Sequence, residues 1–199
     1  MTVIFSLDTD SDATVWPAMP VLEGRNAARA RKKWARRTSE LLWSLVDEPF
    51  EKKQVKMLAY ELESTAELVP QKIPVHQVFL YVPDPRRDFL TFLVHAGPST
   101  GDVDATLAAL VQKDEPGAVQ DPEVMDFDTE RLGRGMRSIR YFVSDKAQAM
   151  CCSVNYAWRL ESLGIDVIVR TLSEDIGWIT SHIDEFDEFA RSLFVNLDE

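Results

Sequence analysis

The run QAMCCSVNYAWRL, residues 148–160, decides the fold. Side chains of a strand alternate between its two faces. On that period Met150, Cys152, Val154, Tyr156, Trp158 and Leu160 share one face, and Cys151, Ser153, Asn155, Ala157 and Arg159 share the other. The first set reads as core. The second is smaller and more polar. On this reading Cys152 is a small buried hydrophobe, and Cys151 is the accessible thiol of the pair.

Further strands flank this one. GMRSIRYFV (135–143) precedes it, and IDVIVRTL (165–172) follows across a turn at ESLG. Upstream, VMDFDTERL (124–132) alternates, with Met125 and Phe127 on its apolar side. Short connections between consecutive strands predict an antiparallel sheet. HQVFLYV and DFLTFLVHA flank PDPRRD, a turn by its proline and aspartate content. Both runs are apolar on both faces, as in a sheet covered on two sides. TVIFSL predicts a short first strand, and residues 8–23 an irregular connection broken by Pro17 and Pro20.

Helical spacing marks four other segments. Asn26 would cap a first helix that ends before Pro49, with Ala27, Ala30, Trp34, Thr38, Leu41 and Leu45 on its buried stripe. Arg29, Lys32, Lys33 and Arg36 fall opposite, on the solvated face. A second helix, from about Glu51 to Val69, stops at Pro70 and buries Val55, Leu58, Leu62, Ala66 and Val69. GDVDATLAALVQ supplies a third. The last starts near Ser181, where Ser181 and Asp184 have capping-box spacing, and runs to Leu197. The expected architecture is α/β in the α+β sense: a mostly antiparallel sheet in an α/β/α sandwich with a paired-helix N-terminal segment. One domain over 1–199 is expected, with an arm at 1–23, the helical pair at 24–70 and the sheet with two further helices at 75–199.

The 199 residues carry a net charge of −11, which opposes general nucleic-acid binding. The charge is uneven. Residues 24–56 hold ten basic and four acidic side chains, a local +6 against −17 for the remainder. No apolar run reaches the length of a membrane span. MTVIFSLDTDSDATVW lacks the basic flank of a secretory signal, and two cysteines are too few for a disulfide framework, so a cytoplasmic location is expected.

The second half, roughly Phe89 to Leu197, resembles the Mog1/PsbP-like fold, in particular its actinobacterial lipoprotein branch. The resemblance lies in a strand, the GDVDATLAALVQ helix, a strand reaching LGRG with Gly133 and Gly135 at the junction, a run of antiparallel strands, and the closing HIDEFDEFARSLF helix. The paired helices before the first hairpin depart from that branch, as does the missing lipid-bearing cysteine. The resemblance implies a binding or assembly factor without a shared catalytic residue.

Reactive chemistry is sparse. Cys151 and Cys152 point in opposite directions and should not bite one metal ion; zinc sites usually space such ligands by two or more residues. A nucleophilic Cys151 would need a nearby base and a lowered pKa. His76 would lie opposite His95 if Val82 pairs with Phe89, and two imidazoles at that spacing could share a metal. No HExxH, P-loop, GxGxxG or GxSxG motif is present. Asp126, Asp128 and Glu130 read as a solvated edge strand. The sequence therefore predicts a non-catalytic cytoplasmic binding or adaptor protein without a cofactor, whose partner is another protein or a second copy. Its candidate contact residues are Arg29, Lys32, Lys33, Arg36 and Cys151. The alternative is an enzyme or metal-binding protein using Cys151 or the His76/His95 pair.

Overall fold

The computed structural model describes residues 5–144 and 148–197. In chain order the elements are β1 (Phe5–Thr9), β2 (Ala18–Met19), α1 (Ala27–Ser44), α2 (Lys52–Lys72), β3 (Gln77–Tyr81), β4 (Leu90–Pro98), α3 (Val103–Leu110), β5 (Glu123–Asp126), β6 (Gly135–Ser144), β7 (Ala149–Leu160), β8 (Ile165–Ser173), α4 (Ile176–Ser181), α5 (Ile183–Ser192) and β9 (Leu193–Leu197). This is a mixed fold of helices and antiparallel sheet. Two compact units divide it: one takes in the described residues up to Ser11 and from Leu93 onward, the other Asp12–Phe92. No helix among the described residues is long and apolar enough to cross a membrane.

In the first unit the strands follow the order β4-β8-β7-β6-β5, each antiparallel to its neighbour. The hairpins run Gly135↔Trp158 to Ser144↔Ala149 and Cys152↔Ser173 to Leu160↔Ile165, as the alternation requires. α3 covers one face: Leu107 and Val111 pack on Ala157, with Met136 and Ile168 beside them. α5 lies on the other, where Asp187 meets Tyr156 of β7. The unit is thus helix, sheet and helix in three layers. Tyr156 and Trp158 stack with centroids 5.9 Å apart, and Phe127 meets both edge-on. Gly135 faces Trp158, and a Cβ there would lie 2.3 Å from Trp158 Cδ1 and 2.6 Å from the Phe127 carbonyl. Only glycine lets the indole pass.

Three local expectations are corrected in this unit. The final helix is two short helices followed by a strand. Asp175, not Ser181, caps the first of them, its carboxylate accepting the Trp178 N–H at 3.0 Å. Ser181 Oγ instead donates to the Trp178 carbonyl, and His182, at the N-cap of α5, makes no side-chain cap hydrogen bond. Leu193–Leu197 leaves the helix to pair antiparallel with β1, Leu7 opposite Val195. That pairing joins the two ends of the chain, so no local pattern announces it. β5 stops at Asp126; Met125 is 44% exposed, while Phe127 turns inward at 3%.

In the second unit β2 pairs antiparallel with β3. The connection before it is ordered: Leu80 and Val82 donate to the carbonyls of Pro17 and Val15. Trp16 sits with its centroid 4.6 Å from Tyr81 and 4.9 Å from Phe92. α1 and α2 form an antiparallel hairpin. Ser39 Oγ donates to the Val55 carbonyl at 2.7 Å, and Arg31 pairs with Glu67 at 3.7 Å. α2 buries Leu58, Leu62 and Ala66 as its pattern dictates, but runs through Pro70 to Lys72. A proline removes one hydrogen bond to the preceding turn, and so near the helix end little helix depends on it. α1 is rotated from expectation. Ala27, Ala35, Ser39, Leu42 and Trp43 are buried, whereas Leu41 and Leu45 are 49% and 57% exposed and Ala30 is exposed. The small Ala35 and Ser39 admit the close approach of α2, and that packing outranks the larger leucines.

Candidate functional site

Both cysteines are sealed. Cys151 is 2% exposed and Cys152 0%. They occupy opposite faces of β7, which lies between β6 and β8 and is covered on both sides. The expected accessibility of Cys151 is therefore corrected. Its face is polar, but the polar groups satisfy one another: Asn155 donates to Ser138 Oγ at 3.1 Å, and Arg159 clamps Asp166 at 2.8 Å while donating to the Thr100 and Gly101 carbonyls. Burial pushes the Cys152 thiol up to about 11, with the charges of Glu123 and Cys151 adding to it. Burial, then Glu174, raises Cys151 too, and its Sγ lies 3.7 Å from the Ala149 carbonyl. A nucleophilic or metal-ligating cysteine needs the opposite shift.

His76 is exposed ahead of β3 in the second unit, and His95 is half-buried in β4 of the first, opposite Ile168 of β8. His182 joins α4 to α5, with Nδ1 2.7 Å from the Trp178 carbonyl. Among the described residues, no group of three or more His, Cys, Asp or Glu is placed to hold a metal ion.

Two buried polar networks escape the sequence pattern. On the α5 face, Tyr156 donates to Asp187 Oδ1 and Arg137 to its Oδ2. On the α3 face, Arg140 reaches Gln112 and the carbonyls of Glu115 and Pro116, and Arg170 reaches the Leu110 carbonyl. Cations at a helix C-terminus complement its dipole, so these arginines fasten the end of α3 to the sheet. Sequence offered a signal for them only in arginines at strand positions that alternate inward.

The accessible chemistry lies on the α1–α2 hairpin. Arg29, Lys32, Lys33 and Arg36 are all exposed, as are Lys52, Lys53 and Lys56 at the start of α2. Arg36 makes a loose pair with Glu40 at 3.7 Å, both largely exposed, so its charge stays available. Of the twelve large apolar side chains exposed among the described residues, seven lie in this hairpin: Leu41, Leu45, Phe50, Met57, Tyr60, Leu68 and Ile73. The Ser39–Val55 contact sets the end of α1, with Leu41 and Leu45, beside the start of α2. Sequence reasoning found the basic residues and missed the apolar ones, because it assigned Leu41 and Leu45 to the core.

Clefts open on the surface of the described residues. One of about 430 Å³ in the second unit has Leu42, Val46 and Val82 at its floor. Arg86 closes its rim on Asp84 at 2.9 Å and Glu48 at 2.7 Å, and holds the Asp84 carboxyl below its usual range. A second, of about 500 Å³, lies among Arg131, Arg134, Arg159 and Val195. Each of those arginines already pairs with an aspartate: Asp10, Asp104 and Asp166. A third, of about 590 Å³, is lined by Asp114, Asp121, Asp126, Val124, Met125 and Met136, with Lys113 at its rim.

No family model and no curated protein matches the chain. Among solved structures it is similar to LpqN, involved in cell envelope biogenesis of Mycobacterium tuberculosis, at 12% identity and a TM-score of 0.47, over 98% of this chain and 85% of that one. A likeness of that degree assigns neither family nor activity.

Proposed function

We propose that the protein is a non-catalytic binding or adaptor protein of the cytoplasm, and that the α1–α2 hairpin is its docking surface for an acidic protein partner. One observation carries the reading. Exposed apolar side chains concentrate on the same hairpin that carries nine exposed lysines and arginines, in a chain that is acidic overall. Interfaces pair an apolar centre with a charged rim, and the charge selects the partner. The sealed, proton-retaining thiols support a binding role over a cysteine-based one. Both being free, they suit a reducing compartment. The reading also assigns residues 89–197 to the Mog1/PsbP-like fold, whose members are mostly binding or assembly factors. What supports this is the succession of β4, α3, four antiparallel strands and α5.

The test is photo-crosslinking in the native cell from a benzoylphenylalanine placed at Lys33 or at Tyr60, with Asp184 of α5 as the control position. The reading expects a discrete protein adduct from the two hairpin positions that disappears when Lys32→Glu and Arg36→Glu are added. Adducts of equal yield from all three positions, or adducts indifferent to the charge reversal, would refute it.

A further inference from the structure

The basic, apolar hairpin has a counterpart within the same chain. The cleft of about 590 Å³ beside β5 is lined by Asp114, Asp121 and Asp126 around Val124, Met125 and Met136. All three aspartates are exposed, and Met125 is 44% and neighbouring Val119 54% exposed. β5 is the edge strand of its sheet, so one side of it carries no further strand. The hairpin presents the inverse charge: exposed Leu41, Leu45, Met57 and Tyr60 on the same two helices as exposed Arg29, Lys32, Lys33, Arg36, Lys52, Lys53 and Lys56. Both sets of side chains are open to solvent.

We infer that the occupant of the β5 cleft is the hairpin of a second copy of this chain, so that the protein self-associates through one basic and one acidic surface. The inference rests on the hairpin being the docking surface, and names its partner. Charge complementarity is the argument. Two copies of the 24–56 segment, each at a local +6, repel each other, as do two acidic remainders at −17, whereas that segment against the cleft is attractive. The apolar side chains on each surface give the contact an interior that charge alone would not supply. The lone opposing charge, Lys113, leaves the cleft negative.

Sedimentation equilibrium of the full chain tests it. At about 10 mM salt the wild-type protein should associate, and raising salt to about 150 mM should weaken association at least about tenfold, because the screening length falls from about 30 Å to about 8 Å. Lys32→Glu with Arg36→Glu should abolish self-association, and so should Asp121→Lys with Asp126→Lys. Mixing the two variants should restore it, since one still offers a basic hairpin and the other an acidic cleft. If a double reversal lowers thermal stability, Met57→Glu and Met125→Glu replace them and should each weaken association about tenfold. A wild-type chain that stays monomeric at about 10 mM salt overturns the inference, as does a mixture that stays monomeric or an association indifferent to the reversals. Should self-association fail while hairpin crosslinks to another protein persist, the docking surface stands and only its occupant here is wrong.

Discussion

Tyr156, in the middle of β7, donates its hydroxyl to Asp187 Oδ1 of α5 at 2.8 Å, in the buried interior of the first unit. Burial first, and then the Asp187 charge, holds the phenol well above its ordinary pKa, so it keeps its proton and donates. Arg137 takes the other oxygen of the same carboxylate. Tyr156→Phe should therefore cost about 1–2 kcal/mol, and Asp187→Ala about 3 kcal/mol or more, because the second change leaves Arg137 buried without its anion. Urea unfolding of both variants checks the order; a larger loss in Tyr156→Phe would contradict this network.

Gly135→Ala should destabilise by at least about 2 kcal/mol, since the new methyl meets the Trp158 ring and the Phe127 carbonyl together. The indole N–H of Trp158 donates to that same carbonyl at 3.1 Å, so the ring cannot retreat freely. Urea unfolding checks it, and a loss below about 0.5 kcal/mol would show that the ring yields without cost.

The two thiols should be inert in the folded state and react together on unfolding, as an Ellman titration with and without denaturant would show. Substituting either by alanine should cost about 1 kcal/mol, since both are buried. Their protonation adds a pH dependence. A folded-state pKa raised to about 11 for Cys152 stabilises the fold fully below the unfolded thiol value near 8.5, and this contribution is lost as pH rises toward 11. The difference in melting temperature between wild type and Cys152→Ala should therefore narrow above about pH 9. A constant difference up to pH 11 would count against a protonated, buried Cys152.

The sheet was legible because β6, β7 and β8 are long and alternate, and short turns join them in sequence. α2 was legible for a related reason: Leu58, Leu62 and Ala66 repeat at helical spacing with no competing stripe. α1 offered two stripes a fraction of a turn apart. The leucines favoured the wrong one, because the deciding contact is between Ala35 and Ser39 and a partner helix that the local pattern does not contain. β9 was hidden similarly, Leu193 and Leu197 fitting a helical repeat that pairing with β1 overrides. The candidate surface was half legible. Charge marked Arg29, Lys32, Lys33 and Arg36, but the exposure of Leu41, Leu45, Met57 and Tyr60 followed only from the packed hairpin. Cys151 was misjudged because a polar strand face was equated with a wet one.

The basic face of α1 should be dispensable for folding. Lys32→Glu with Arg36→Glu should change stability by no more than about 0.5 kcal/mol for each substitution, because both side chains are exposed and Arg36 has only a loose partner. Thermal melts of the double variant provide the check, and a loss of several kcal/mol would mean that the face supports the fold.

The most direct measurement of the central claim compares the wild-type chain with this double variant as baits in native extract, at about 10 mM and about 150 mM salt, with bound protein quantified by mass spectrometry. The account predicts a captured acidic protein, this chain included, whose yield falls at least about tenfold with salt and about tenfold with charge reversal at low salt. Equal capture by the two folded baits at both salt concentrations would contradict it.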